Sequence, residues 1–270
     1  MIELDKIYNE DCEEGLKKIE DNSIDLVVTS PPYDNLRTYD GIIDGWNFEK
    51  SKNVIKEIFR VLKHGGVCVW VVGDETVNGS ESLSSFRQAI MFTEIGFNLH
   101  DTMIYYKDNP CPVGGKNRYI QSFEYMFVFS KGIPKTFNPL TEKRRNKHKD
   151  KRTERVKVFQ RNPDGTFSKK YKKINQSDPK RRNVWCYSFG DSSHTGHPAV
   201  FPIKLVYDHI FSWSNVGDIV LDPFIGSGTT AIACINEKRH FIGFELNKEY
   251  YDKACKRIKD EQSQLTLDLF

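Results

Sequence analysis

The sequence predicts an α/β fold in which a doubly wound, mostly parallel sheet carries a basic insertion. Three observations lead there. Short apolar runs alternate with segments of helical spacing along most of the 270 residues, the pattern left by strands joined through crossover helices. Two turns of unusual composition, Ser30-Pro31-Pro32-Tyr33 and Asp222 to Thr230, each follow directly on such a run. Between residues 135 and 185 the apolar periodicity fades and the charge changes sign.

Taken in order, Cys12 to Ile19 has helical spacing, and Ile24-Asp25-Leu26-Val27-Val28-Thr29 is a short apolar strand ending at the Ser-Pro-Pro-Tyr turn. Asn53 to Leu62 places Val54, Ile55, Ile58, Phe59 and Leu62 on one helical face. His64-Gly65-Gly66 stops that helix, and Val67 to Val72 follows as a buried strand. Ser84 to Ile95 gives a helix closed by Gly96, and Thr102 to Tyr106 and Glu124 to Phe129 give two more strands. Beyond the insertion come a helix from Pro202 to Trp213, a strand at Ile219-Val220-Leu221 and a glycine-rich turn. A helix from Thr229 to Asn236, a strand from His240 to Phe244 and a last helix from Lys248 toward Asp260 complete the pattern.

A chain of this length can bury a full core. No segment has the unbroken apolar length needed to cross a bilayer, so a cytoplasmic protein is expected. Six cysteines are widely spread, without a CxxC pair or a metal-ligand spacing; packed, reduced thiols are expected rather than disulfides or a metal site. The net charge of +3 hides an asymmetry. Residues 135–185 hold 18 Lys and Arg against 5 Asp and Glu, a net +13, which leaves −10 for the rest. A basic segment set into an acidic body suits a surface that meets phosphates, and it equally suits a solvated loop. The expected division is one domain made of residues 1–134 and 186–270, with 135–185 inserted.

Asp222-Pro223-Phe224-Ile225-Gly226-Ser227-Gly228-Thr229-Thr230 lies between a strand and a helix, where open α/β sheets bind ligands. Gly226 and Gly228 permit a close backbone approach and dihedrals closed to other residues. Glu245 ends the next strand, where an acidic residue can accept both ribose hydroxyls of an adenosine cofactor. These residues resemble the amino-methyltransferase family of DNA-modifying enzymes, in which a DPFxGSGTT turn is the cofactor motif. The resemblance covers Ile7 to Asn78 and Ser188 to Ile258. It implies S-adenosylmethionine as cofactor, held by Asp222, Phe224, Gly226, Ser227, Gly228, Thr229 and Glu245. It also implies that the segment from His197 to Pro202 packs on the methionine end, through His197, Pro198 and Phe201. Asp11, by the same resemblance, meets the adenine, although an aspartate before a helix also reads as its N-cap.

In the resembling family Ser30, Pro31, Pro32 and Tyr33 form the catalytic motif. The exocyclic amine of cytosine or adenine is a poor nucleophile because its lone pair is delocalised into the ring. Two prolines remove amide donors and leave carbonyl oxygens to accept. Hydrogen bonds from the amine to the Ser30 hydroxyl and to a proline-turn carbonyl would favour the tetrahedral nitrogen. Tyr33 offers a ring face to a base extruded from the duplex. The methyl donor is already an activated sulfonium, so alignment and a preset polar environment are the main tasks. Pro110-Cys111 invites comparison with the carbon-5 cytosine enzymes, but the motif order differs and Cys111 lies in a turn-rich stretch; it is read as structural. Arg118, Phe123 and Tyr125 resemble the segment lining the other side of the base pocket. A core strand with alternating aromatics would carry the same residues.

The chemistry motif precedes the basic window and the cofactor motif follows it. In the resembling family this is the β-group order, in which the intervening segment reads the DNA. It implies a Rossmann-like methyltransferase fold, permuted, with a DNA-recognition insertion in which Lys143, Arg144 and Arg145, together with Arg118, meet double-stranded DNA. Ser at the first motif position favours cytosine N4, with adenine N6 as the alternative and a catalytically idle, sequence-specific DNA-binding protein as the reading from a different class. The partners implied are those of a restriction-modification system: a cognate restriction endonuclease and a second copy in a homodimer. The tail from Gln264 to Phe270 is expected beyond the last helix and ends on large apolar residues, which need a surface to cover. Leu267, Leu269 and Phe270 are expected to fold onto this protein or a second subunit, or else the tail is itself a peptide ligand with these residues as its apolar anchors. The tail resembles the short motif that docks bacterial proteins on the sliding clamp, with Gln264 as its polar contact.

Overall fold

The computed structural model describes residues 2–32, 46–110, 117–142, 155–162, 166–173, 179–188 and 202–267. In chain order the elements are β1 (Lys6–Tyr8), α1 (Cys12–Leu16), β2 (Ile24–Thr29), α2 (Phe48–Val61), β3 (Leu62–Val72), β4 (Thr76–Val77), β5 (Ser80–Glu81), α3 (Ser84–Ile95) and β6 (Asn98–Lys107). There follow β7 (Phe123–Ser130), β8 (Arg155–Arg161), β9 (Phe167–Lys173), β10 (Val184–Tyr187), α4 (Ile203–Trp213), β11 (Ile219–Asp222), α5 (Thr229–Asn236), β12 (His240–Phe244) and α6 (Lys248–Leu267). The chain divides into two units, Met1–Asn138 with Asn183–Phe270, and Pro139–Arg182.

Among the described residues of the larger unit eight strands make one sheet, in the order β1-β12-β11-β2-β3-β7-β6-β10. Every pairing is parallel except the two made by β7, which runs antiparallel to β3 and β6. The doubly wound, mostly parallel sheet expected from the alternation is therefore present. β3 is central and buried on both faces from Val67 onward, which is why that stretch reads as a continuous apolar run. Strand order reverses between β11 and β2: β11 leads through α5 to β12 on one side, and β2 leads through α2 to β3 on the other. The crevice outside the carboxyl ends at such a switch point is where open sheets bind ligands.

One face of the sheet buries Cys68, Trp70 and Val72 of β3 with Phe127 and Phe129 of β7, against Leu16, Ile55, Ile58 and Phe92 from α1, α2 and α3. The Phe92 and Phe129 rings stack with centroids 4.0 Å apart. On the opposite face α4 sets His209 Nε2 3.3 Å from the Met126 sulfur, with its ring 4.6 Å from that of Trp185. α2 ends on a buried cation. Lys131 Nζ donates to the carbonyls of Phe59 (2.7 Å) and Leu62 (2.9 Å) and to Asn22 Oδ1 (2.8 Å). A positive charge at unpaired helix-end carbonyls is favourable, while burial pushes the Lys131 ammonium below its ordinary pKa.

Several boundaries differ from expectation; α2 ends at Val61 and β3 begins at Leu62, so His64, Gly65 and Gly66 lie within the strand rather than stopping the helix. α6 runs on to Leu267, so Gln264 lies inside the last helix rather than beyond it; no Gly or Pro follows Asp260 to stop the helix. β10 pairs in parallel with β6, with Val184 opposite Ile104, so the sheet includes residues that the charge count grouped with the insertion. Within the smaller unit β8 and β9 form an antiparallel ribbon, Arg155 opposite Lys173 and Arg161 opposite Phe167. Its two chain ends meet: Glu142 N donates to Pro179 O (2.9 Å) and Arg181 N to Leu140 O (2.8 Å). Among the described residues no helix is long and apolar enough to cross a membrane.

Candidate active site

Both motifs leave the sheet at the switch point, and one carboxylate joins them. Pairing of Leu221 with Val27 puts the ends of β11 and β2 side by side. Thr29 Oγ1, the last residue of β2, donates to Asp222 Oδ1 at 2.6 Å. Thr230 Oγ1 donates to Asp222 Oδ2 at 2.6 Å, and Phe224 N to Oδ1 at 3.1 Å. Asp222 is 2% exposed. Burial raises its carboxyl to about 6, against the downward pull of these three donors. Asp222 thus acts as an internal tie that shapes the turn.

The rest of the turn is fixed by backbone contacts. Ile225 N donates to Phe244 O (3.0 Å) and Gly228 N to Ile225 O (2.9 Å). Gly226 (φ +52°) and Gly228 (φ +84°) occupy the left-handed region, which explains glycine at both positions. Gly228 also faces α6: a Cβ there would lie 3.1 Å from that of Ala254. Phe224 meets the Trp46 ring edge-on at 5.0 Å. Gly228 is the N-cap of α5, so Ser227 and Thr229 stand at the positive end of a helix.

Glu245 stands one residue beyond β12, beside this turn. Burial raises its pKa, opposed by the backbone amides of Asn247, Gly226 and Leu246; Asn247 N donates to Oε1 at 2.7 Å. The next loop along joins it, since Asn9 Nδ2 donates to the carbonyls of Glu245 (2.8 Å) and Leu246 (3.1 Å). Asp11, in that loop, caps α1 by accepting from Glu13 N (2.9 Å) and pairs through Oδ2 with Lys50 Nζ (2.5 Å). Loops at four adjacent strand ends, β1, β12, β11 and β2, therefore line up over about 14 Å, three strand spacings. Acidic acceptors lie toward β1 and β12, and the Ser30 hydroxyl and proline carbonyls toward β2.

On the far side, Tyr125 belongs to an aromatic column. Its ring stacks on Phe127 at 5.2 Å and meets Phe123 and Phe86 edge-on at 5.5 and 5.3 Å. The Arg118 guanidinium donates to the Gly79 carbonyl and lies 3.6 Å from Glu81, at the β4–β5 hairpin. Tyr33, Cys111, Lys143, Arg144, Arg145, His197, Pro198, Phe201 and the tail residues Asp268, Leu269 and Phe270 lie outside the described residues. Sequence reasoning missed Thr29, Thr230 and Asn9. Thr29 borders one motif and Thr230 ends the other, so both were within reach; Asn9 acts across a long sequence separation with no local signal.

A family model described as DNA methylase, of the N6/N4 type, matches residues 24–256. The chain is 49% identical over 251 residues to the orphan methyltransferase M.BamHII of Bacillus amyloliquefaciens, covering 90% of this chain and 92% of that relative. The crystal structure of the M1.HpyAVI–SAM complex is similar over 94% of this chain and 98% of that one, with a TM-score of 0.63 and 26% identity. The PvuII DNA methyltransferase, described as cytosine-N4-specific, is similar over 96% of this chain and 91% of that one, with a TM-score of 0.65. At 22% identity this last likeness is one of fold alone.

Proposed function

The chain belongs to the DNA methylase family, and on that premise we propose that it transfers a methyl group from S-adenosylmethionine to cytosine N4 of a base extruded from duplex DNA. The observation that carries this reading is the 2.6 Å hydrogen bond from Thr29 to Asp222. It brings the Ser-Pro-Pro turn and the glycine turn, far apart in sequence, to one crevice.

The donor set fits S-adenosylmethionine. Glu245 offers a carboxylate for the ribose hydroxyls, held beside the Gly226 amide. The Gly226–Thr229 backbone and the first turn of α5 offer amides, and Asp11 sits two strand ends away for the adenine. When bound, S-adenosylmethionine supplies a methyl group already activated on a sulfonium. The chain's own residues then align and polarise the amine. Ser30 and a proline carbonyl accept its two N–H bonds and direct its lone pair toward the cofactor side, while Tyr33 stacks on the extruded base. Ser30 at the first motif position supports cytosine over adenine, and the aromatic column around Tyr125 stiffens the opposite wall.

The unit Pro139–Arg182 carries the contacts to DNA in this reading, with Lys143, Arg144 and Arg145 on phosphates. The protein acts in the cytoplasm. Docking of the tail on a sliding clamp would require Gln264 to Leu267 to unwind from α6, since the helix includes them.

The test is transfer of labelled methyl from S-adenosylmethionine to duplex DNA. Wild-type protein should label the DNA, and Ser30→Ala should lose most turnover while binding the cofactor with unchanged affinity by calorimetry. Full turnover by Ser30→Ala would remove the proposed chemistry from this turn.

A further inference from the structure

Arg257 lies on α6, outside every motif used above. Its Nη1 donates to the carbonyl oxygen of Ser227 and to the Ser227 hydroxyl, the latter at 3.0 Å. The Ser227 carbonyl belongs to the same peptide group as the Gly228 N–H, which donates to Ile225 O at 2.9 Å. One peptide plane is therefore held at both ends. It lies next to Gly226 and Gly228, the two residues whose missing side chains would otherwise leave the turn free to rotate. The same face of α6 supplies Ala254 against Gly228. Farther along, Glu261 Oε1 accepts from Asn236 Nδ2 at 2.5 Å and ties α6 to α5. The guanidinium is half-buried, and desolvation lowers its pKa against the pull of Glu261.

We propose that Arg257 is a positioning residue for the methyl donor: it locks the Ser227–Gly228 peptide so that the glycine turn keeps the shape that receives the cofactor. The inference rests on the cofactor reading of the turn. Arg257 touches no reacting atom, so its loss should act on cofactor affinity and spare the chemical step. A charge-assisted hydrogen bond is among the stronger kinds, and the backbone it restrains is unusually free.

Steady-state methylation with the cofactor and DNA varied in turn tests this. Arg257→Ala should raise the KM for S-adenosylmethionine about tenfold, with kcat and the KM for DNA within about twofold of wild type. Arg257→Lys, which keeps one charged donor without the planar fork, should recover part of the loss. Asn236→Ala breaks the α5–α6 tie elsewhere and should lower the melting temperature without moving the KM for the cofactor. An unchanged cofactor KM in Arg257→Ala would overturn the proposal, as would an equal rise in Asn236→Ala. A wild-type protein with no saturable dependence on S-adenosylmethionine would instead overturn the cofactor reading beneath it.

Discussion

Replacing Asp222 with asparagine removes a charge and almost no volume, at the residue that joins the two turns. Burial lifts this carboxyl from 3.8 to about 6, a gap worth roughly 3 kcal/mol at about 1.36 kcal/mol per pH unit. The folded carboxyl keeps its proton to a higher pH than the unfolded one. Its contribution to stability is thus fully present below about pH 3.8 and is lost as the pH rises through about 6. An amide has no charge to bury and suffers no such loss. Its Oδ1 can still accept from Thr29 and Phe224 N, and the Thr230 hydroxyl can turn to accept from Nδ2. Asp222→Ala, in contrast, leaves two buried hydroxyls and an amide without an acceptor, at roughly 1–3 kcal/mol each. Urea unfolding of wild type and Asp222→Asn from pH 4 to pH 7.5 measures the difference. Relative to wild type, the variant should gain about 2.5 kcal/mol across that range, the remainder of the gap lying below pH 4. Glu245 titrates with the same sign, and because the Asp222 charge is one of the causes that raise it, the variant relieves Glu245 as well and the two effects add. Parallel pH curves would refute the burial of an ionised carboxyl at the switch point.

Two further substitutions probe the turn and the basic unit. Gly228→Val puts a β-branched residue at φ +84° against Ala254, so the melting temperature should fall and calorimetry should show no cofactor binding; wild-type affinity would contradict the described turn. Reversing the charges of Lys143, Arg144 and Arg145 together should weaken DNA binding and flatten its salt dependence, by roughly 0.9 in log-log slope for each phosphate no longer neutralised. A slope equal to that of wild type would mean that these residues do not meet the DNA.

What the sequence made legible was whatever a local pattern encodes. β2 and α3 match the expected bounds because an apolar run ending at Pro31 and a helical stripe ending at Gly96 carry their own punctuation. The glycine turn was legible because backbone demands at Gly226 and Gly228 restrict residue choice. β1 escaped notice because three residues make too short a pattern. The β8–β9 ribbon escaped because its alternation is confined to Val156 and Val158 within a strongly cationic stretch. α2 begins earlier than the periodicity suggested, since Asn47 caps it through Lys50 N at 2.9 Å, a contact that precedes the apolar stripe. In the site, Asp222 was identified as a residue but its partners were not. Thr29 reaches it from the far end of the chain, and only the parallel pairing of β11 with β2 makes them neighbours. Arg257 belongs to the same class: one of many Lys and Arg in a polar helix, distinguished only by what lies opposite it.

The central claim is that this crevice methylates an exocyclic amine of a DNA base. Nucleoside mass spectrometry on DNA from a methylation-free host expressing the chain tests it most directly, with the Ser30→Ala protein expressed in parallel. N4-methylcytosine in the wild-type sample and its loss in the variant is the predicted result. N6-methyladenine would move the target to the other amine, and the absence of both modified bases from cells holding folded, DNA-binding protein would contradict the claim.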